Sequence, residues 1–130
     1  YGVPTNASWL AQVSLDLAMS QEFKLKPFPS GIYHAVPLGE TNWHELACLA
    51  VDAAIHAGVQ LQLRAEDIAA IPATEYPLPA PRPMNSRMST DKLHKALEIN
   101  GDMSKLQHLT KPWSEEVMAY IKHLAKAGLI

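Results

Sequence analysis

The chain has 130 residues, is 48% apolar and carries a formal net charge of −2; that is the profile of one folded domain and excludes a disordered chain. The acidic balance, with no basic stripe, excludes bulk nucleic-acid binding, which needs surplus cations to neutralise phosphates. One cysteine, Cys48, excludes an internal disulfide and suits a reducing, cytoplasmic compartment, and the most apolar run, 46–58, is broken by Asp52 and His56 and is too short for a bilayer.

The text opens YGVPT, on Tyr1 rather than Met and with no signal peptide before the first element, so it is expected to be part of a longer protein. Trp9, Leu10, Val13 and Leu17 recur at helical spacing, predicting a helix over 6–19 that Thr5 or Asn6 caps. Residues 24–30, with Pro27 and Pro29, read as a loop. Residues 31–36, GIYHAV, read as a short strand closed by Pro37 and Gly39. A longer helix is predicted over 41–57, with Trp43, Leu46, Ala47, Ala50, Ala54 and Ile55 on one face, Asn42 and Glu45 at capping-box spacing, and Gly58 as its stop. Residues 59–63 alternate Val59, Leu61 and Leu63 with glutamines, which predicts a second short strand.

Residues 65–88 show no sustained period, and their prolines forbid a regular helix. A loop of that length inside a small domain is usually functional or disordered. Ser89 or Thr90 then caps a short helix with Leu93, Ala96 and Leu97 inward, and a turn at Gly101 follows. The last helix is predicted over 110–127, with Trp113, Val117, Tyr120, Ile121 and Leu124 on the core side and Glu115 and Glu116 in its first turn. The expected fold is α/β, about four helices with two short strands. Trp9, Trp43 and Trp113 all fall on apolar helix faces and are read as core.

The stretch PAPRPMNSRMS, 79–89, holds two of the three arginines, Arg82 and Arg87, among three of the ten prolines. Proline lowers the entropy lost in ordering a loop, and a guanidinium offers a rigid fork of donors matched to phosphate or carboxylate oxygens. Asn85 and Ser86 add directional polar groups. The set suits a diphosphate. Equally, both arginines can pair with Glu75, Asp67 or Asp91 and tie the loop down, and spacing alone leaves both readings open. The turn Gly2-x-Pro4-Thr5 can present backbone N–H groups to an anion, or serve as a plain helix entry. Six histidines are scattered without the spacing of a metal site, and Cys48, lying mid-helix with no base nominated beside it, reads as a small apolar side chain. The sequence contains no Gly-rich phosphate fingerprint and no Tyr-x-x-x-Lys pair, so it is not catalytically complete.

Four pieces, YGVPTNASWLA, GIYHAVPLGETNWHELACLAVDAAIHAG, IPATEYPLPAPRPMNSRMSTDKL and Pro112-Trp113, together resemble the C-terminal part of the dTDP-4-dehydrorhamnose reductases, a family of extended short-chain dehydrogenase/reductases. The resemblance covers nearly all of 1–130. It implies a substrate-binding domain whose missing N-terminal Rossmann domain carries the catalytic Tyr-x-x-x-Lys and binds NADPH or NADH. It further implies reduction of dTDP-4-dehydro-L-rhamnose to dTDP-L-rhamnose for cell-envelope polysaccharide, with no nucleic-acid or membrane partner.

On that resemblance 1–22 holds the helix at the domain boundary and 65–88 is the substrate loop, with Arg82, Asn85, Ser86 and Arg87 near the nucleotide diphosphate and Pro4 and Thr5 at the substrate and domain junction. The chain alone is then expected to be inactive. Some members of the family form dimers around magnesium held by glutamates; the corresponding places hold Ser8 and His123, so no magnesium-bridged dimer is expected. A different class, a non-catalytic regulatory or interaction module like the methionine adenosyltransferase regulatory subunit, shares an Arg-Pro-x-Asn-like run. The Trp-His and Tyr-Pro-x-Pro pieces favour the reductase.

Overall fold

Two asparagines decide where the first two helices begin. In a computed structural model of the chain, which describes residues 1–20, 22, 24–25, 27–76, 79–80, 82–99 and 106–130, Asn6 lies in extended backbone and its side-chain oxygen accepts from the Ser8 amide at 2.8 Å. That bond satisfies a donor the helix start leaves unpaired, and α1 follows over Ala7–Ala18. Asn42 likewise accepts from the Glu45 amide at 2.9 Å and opens α2, Trp43–His56. The Glu45 carboxylate turns to the hydroxyl of Thr41, at 2.8 Å, rather than to the capping residue. Gly58 ends α2 at φ 93°, a left-handed conformation that costs glycine little.

Downstream, short 3₁₀ turns at Ala65–Asp67 and Ala73–Glu75 punctuate an otherwise irregular stretch. Helix α3 spans Asp91–Ile99, α4 spans Leu106–Leu109 and α5 spans Trp113–Lys126. The sequence reading anticipated α3 and α5 but not the single turn of α4. The turn expected at Gly101, and Pro77 and Pro81 of the proline-rich loop, lie outside the described residues.

The buried core joins α1, α3 and α4. Trp9, Val13, Leu93, Leu97 and Leu109 form one cluster, and Leu17, Phe28, Tyr33 and Ala35 pack against it. The indole N–H of Trp9 donates to the carbonyl of His108 at 3.0 Å, so this large side chain is buried without an orphaned donor. Helix α2 packs along α5 as a separate pairing.

Both predicted strands are absent among the described residues. The β structure among the described residues is isolated bridges, Gly2 with Thr41 and Met19 with Leu25, antiparallel, and Leu38 with Pro112, parallel. Residues 31–36 do alternate as a strand should: Tyr33 and Ala35 meet the core while Ile32 and His34 are exposed. Among the described residues no neighbouring backbone ladders with them, and a strand is defined by that partner. Residues 59–63 fail more fully, since Leu61 and Leu63 of the supposed inner face are exposed.

Three apolar-stripe assignments also need correction, the first being Leu10 of α1, which is exposed. Trp43 is 84% exposed, because as the first residue of α2 it projects beyond the packed stripe. Tyr120 is exposed too; the half-buried stripe of α5 runs through Val117, Ile121 and Leu124, and Tyr120 sits on its flank. Leu93, by contrast, is 0% exposed. Leu93→Ala should therefore cost about 2–5 kcal/mol by cavity formation, whereas Trp43→Ala should change stability by less than about 0.5 kcal/mol. Urea unfolding of the two variants checks this, and equal losses would contradict the burial pattern.

Candidate functional site

The irregular loop is fixed by backbone pairing with the start of the chain. The backbone nitrogen of Tyr1 donates to Met84 O at 2.7 Å, and the Ser86 amide donates to Tyr1 O at 2.7 Å. On its other side the same short segment pairs with residue 41, since Gly2 and Thr41 exchange both N–H···O bonds at 2.9 Å. Residues 1–2 are thus the middle of three adjacent backbone segments, 40–41, 1–2 and 84–86. Extended chains of this kind run side by side when each amide finds a carbonyl across the gap.

This lamination brings Arg87 to Glu40, a residue 47 positions away in the sequence. The Arg87 Nη1 donates to Glu40 Oε2 at 2.6 Å, with both side chains about half exposed. Asn85 supports the arginine from within the loop: its Oδ1 accepts from the Arg87 amide at 3.1 Å and from Nε at 3.0 Å. The guanidinium carbon also lies 5.9 Å from the centroid of the Tyr1 ring, within cation–π range. The Glu40 hydrogen bond, then the Glu40 charge, raise Arg87 above its already high ordinary value. It is therefore a permanent cation.

Of the residues expected at a site, the structure brings Asn85, Ser86 and Arg87 together against Tyr1 and Gly2. Arg82 is exposed, and among the described residues no ion pair holds it. Neither arginine is found paired with Glu75, Asp67 or Asp91, the acids nominated from sequence; Asp67 instead accepts from the amide of Arg64 at 2.9 Å. Pro4 and Thr5 lie on the link from Gly2 to α1. Thr5 lines a shallow groove of about 460 Å³, with Leu10 and Ser14 of α1, Tyr33, Val36 and Met88 among the other walls. Met88 follows Arg87 directly, so the groove adjoins the polar loop through one peptide.

Glu40 was not legible as a partner, because sequence spacing carries no information on ion pairs between distant segments. A second omission was legible. His44 and Cys48 stand four apart on α2, and the structure places Cys48 Sγ 3.6 Å from His44 Nε2. A base-bearing side chain therefore does lie beside the thiol. It is not arranged as a base, however. Nε2 contacts the carbonyl of Ile68 at 2.9 Å, and a carbonyl only accepts, so Nε2 carries the hydrogen and has no lone pair for a thiol proton. The thiol donates to Ala65 O at 3.5 Å. The pair staples residues 65–68 to α2.

Comparison with known proteins follows the same residues. The family model of the RmlD substrate binding domain matches residues 1–125. A protein of Salmonella typhimurium named dTDP-4-dehydrorhamnose reductase is 38% identical over 102 residues, 76% of this chain and 32% of its own length. A protein of the same name from Shigella flexneri is 39% identical over 95 residues, 73% of this chain and 30% of its own. One from Burkholderia thailandensis is 34% identical over 102 residues, 76% and 34% respectively. The chain thus spans about a third of the length of the curated relatives it matches. No solved structure matches it.

The position of Glu40 depends on Gly39, whose φ is 93° and where an added Cβ would lie 3.1 Å from Trp113 Cδ1. Gly39→Ala should lower stability by about 1–3 kcal/mol through the left-handed backbone, with the Trp113 contact adding to the loss. A thermal melt and the Trp113 fluorescence report it together; an unchanged melt would mean the turn at residue 39 relaxes freely.

Proposed function

The chain belongs to the RmlD substrate binding domain family, and we propose that it supplies the sugar-nucleotide-binding part of a dTDP-4-dehydrorhamnose reductase. That enzyme reduces the 4-keto group of dTDP-4-dehydro-L-rhamnose to dTDP-L-rhamnose, a step toward cell-envelope polysaccharide, with NADPH or NADH. The relatives' names support the activity. The observation that carries the binding role is the Arg87 guanidinium, held on a loop whose backbone is pinned at Met84 and Ser86.

A diphosphate needs cationic donors already in place, because ordering a free arginine on binding takes back much of the gain. Here Asn85 has aligned Nε, and Pro79 and Pro83 restrict the loop before any ligand arrives. Arg82 and the Ser86 hydroxyl extend the donor set in this reading, while Thr5, which follows Pro4, lines the adjoining, mostly apolar groove, which suits the uncharged part of a sugar nucleotide. The net charge of −2 keeps the attraction local, favouring a small anion over a polymer.

The residues present do not fit a nicotinamide site: the sequence has neither a Gly-rich phosphate loop nor a Tyr-x-x-x-Lys pair. In this reading the cofactor and the proton donor belong to a Rossmann domain of the same enzyme, and this chain's share of the reaction is to bind and orient the substrate. No helix among the described residues is long and apolar enough to cross a membrane. A cytoplasmic site of action follows from the nature of the proposed substrate.

In a reductase carrying this domain, Arg82→Ala and Arg87→Ala should each raise KM for the sugar nucleotide roughly ten-fold, the scale of one lost charge-assisted hydrogen bond. Turnover should fall less. A lowered Tm with KM unchanged would mean the arginines only tie the loop down. The 130-residue chain alone should not oxidise NADPH in the presence of substrate; measurable turnover would contradict the division of labour.

A further inference from the structure

The residue that the candidate site adds beyond the sequence motif is Glu40, and its placement is unusual for a binding loop. A carboxylate 2.6 Å from the guanidinium occupies one of the donors an anionic ligand needs. Two explanations compete. Either Glu40 orients Arg87 for the ligand, or it stands in for the ligand and must give way.

The geometry points to the second. Orientation is already supplied without Glu40: Asn85 Oδ1 fixes both the Arg87 amide and Nε, the Tyr1 ring lies beside the guanidinium, and the loop backbone is bonded to Tyr1. The backbone under Glu40 is held from both sides. Gly39 is wedged against the Trp113 ring, and Thr41, 4% exposed, is locked to Gly2. The segment therefore cannot carry its negative charge away, but the side chain, half exposed, can rotate into water. Exposed pairs of this kind are weak and exchangeable, since water and salt screen them.

We propose that Glu40 is an internal counter-anion for Arg87. It occupies the guanidinium when the site is empty, and the diphosphate oxygens of a nucleoside diphosphate displace it. This rests on the sugar-nucleotide reading of the same site. The consequence is a site that binds its ligand less tightly than its arginine alone would allow and releases it more readily. The carboxylate is a standing competitor, and a repelling charge once displaced.

The test is calorimetric titration of thymidine diphosphate into a reductase carrying this domain at low ionic strength, for the wild type, Glu40→Gln, Arg87→Ala and the double variant. Glu40→Gln should tighten binding about two- to five-fold, the range open to an exposed ion pair. The gain should shrink in high salt and vanish in the Arg87→Ala background. Glu40→Ala, which leaves no amide to bond the ligand, should tighten binding in the same sense and guards against a folding defect in the first variant. Weaker or unchanged binding in both Glu40 variants, with Arg87→Ala still weakening it, overturns the counter-anion and leaves the diphosphate reading intact. Unchanged binding in Arg87→Ala overturns both.

Discussion

Four residues, 38–41, hold the parts of this molecule together by their main chain. The amide of Leu38 donates to Lys111 O and its carbonyl accepts from the Trp113 amide, at 2.9 and 3.0 Å, while three residues later Thr41 exchanges both of its bonds with Gly2. One strip thus fixes the entry to α5 on one side and the start of the chain on the other, and it runs directly into the cap of α2. Among the described residues the buried cluster draws on α1, α3 and α4 and the segments against them. Side-chain burial alone would leave the α2 and α5 pair loosely tied to that cluster. Backbone hydrogen bonds of this kind contribute modestly each but are costly to leave unmade, which makes the strip directional where the hydrophobic effect is not.

The strip also explains how a proline-rich loop without regular structure becomes a platform. A flexible loop keeps its entropy unless something fixes its backbone. Here Tyr1 accepts from Ser86 and donates to Met84, and Gly2 next to it is bonded to Thr41. Order at 84–86 is therefore inherited from 38–41 through two residues. The two arginines of the stretch differ for the same reason. Arg87 follows the pinned residues directly and is held by side-chain partners, whereas Arg82 precedes them and has no ion pair among the described residues.

What could be read in the sequence was whatever depends on near neighbours. The caps at Asn6 and Asn42, the stop at Gly58 and the inward Leu93, Ala96 and Leu97 are set within one or two helical turns, and each appears where spacing puts it. What could not be read depends on something lying opposite. Residues 31–36 have the composition of a strand, and Tyr33 and Ala35 do meet the core, yet among the described residues no strand forms there, because pairing needs a second backbone that composition does not report. Trp43 shares the phase of an apolar stripe but lies at its end and is exposed. The loop motif was visible as composition, but Glu40, which decides the electrostatics around Arg87, reaches it only through the folded arrangement of 1–2.

An arginine with its own carboxylate discriminates among anions by their valence. Under the proposed reading, a small monovalent anion gains the Nη1 contact and forfeits the one Glu40 already makes, so the exchange is close to neutral. A diphosphate has oxygens to spare. It can replace Glu40 at Nη1 and still bond other Nη N–H groups of the guanidinium, contacts that the carboxylate, bonded through a single oxygen at 2.6 Å, does not make. The preorganised loop lowers the entropy cost of those added bonds, while the counter-anion removes the advantage of any ligand that makes only one. Under the proposed reading the same two features oppose each other in affinity and reinforce each other in selectivity, which would suit a site that recognises a sugar nucleotide and then lets its product go.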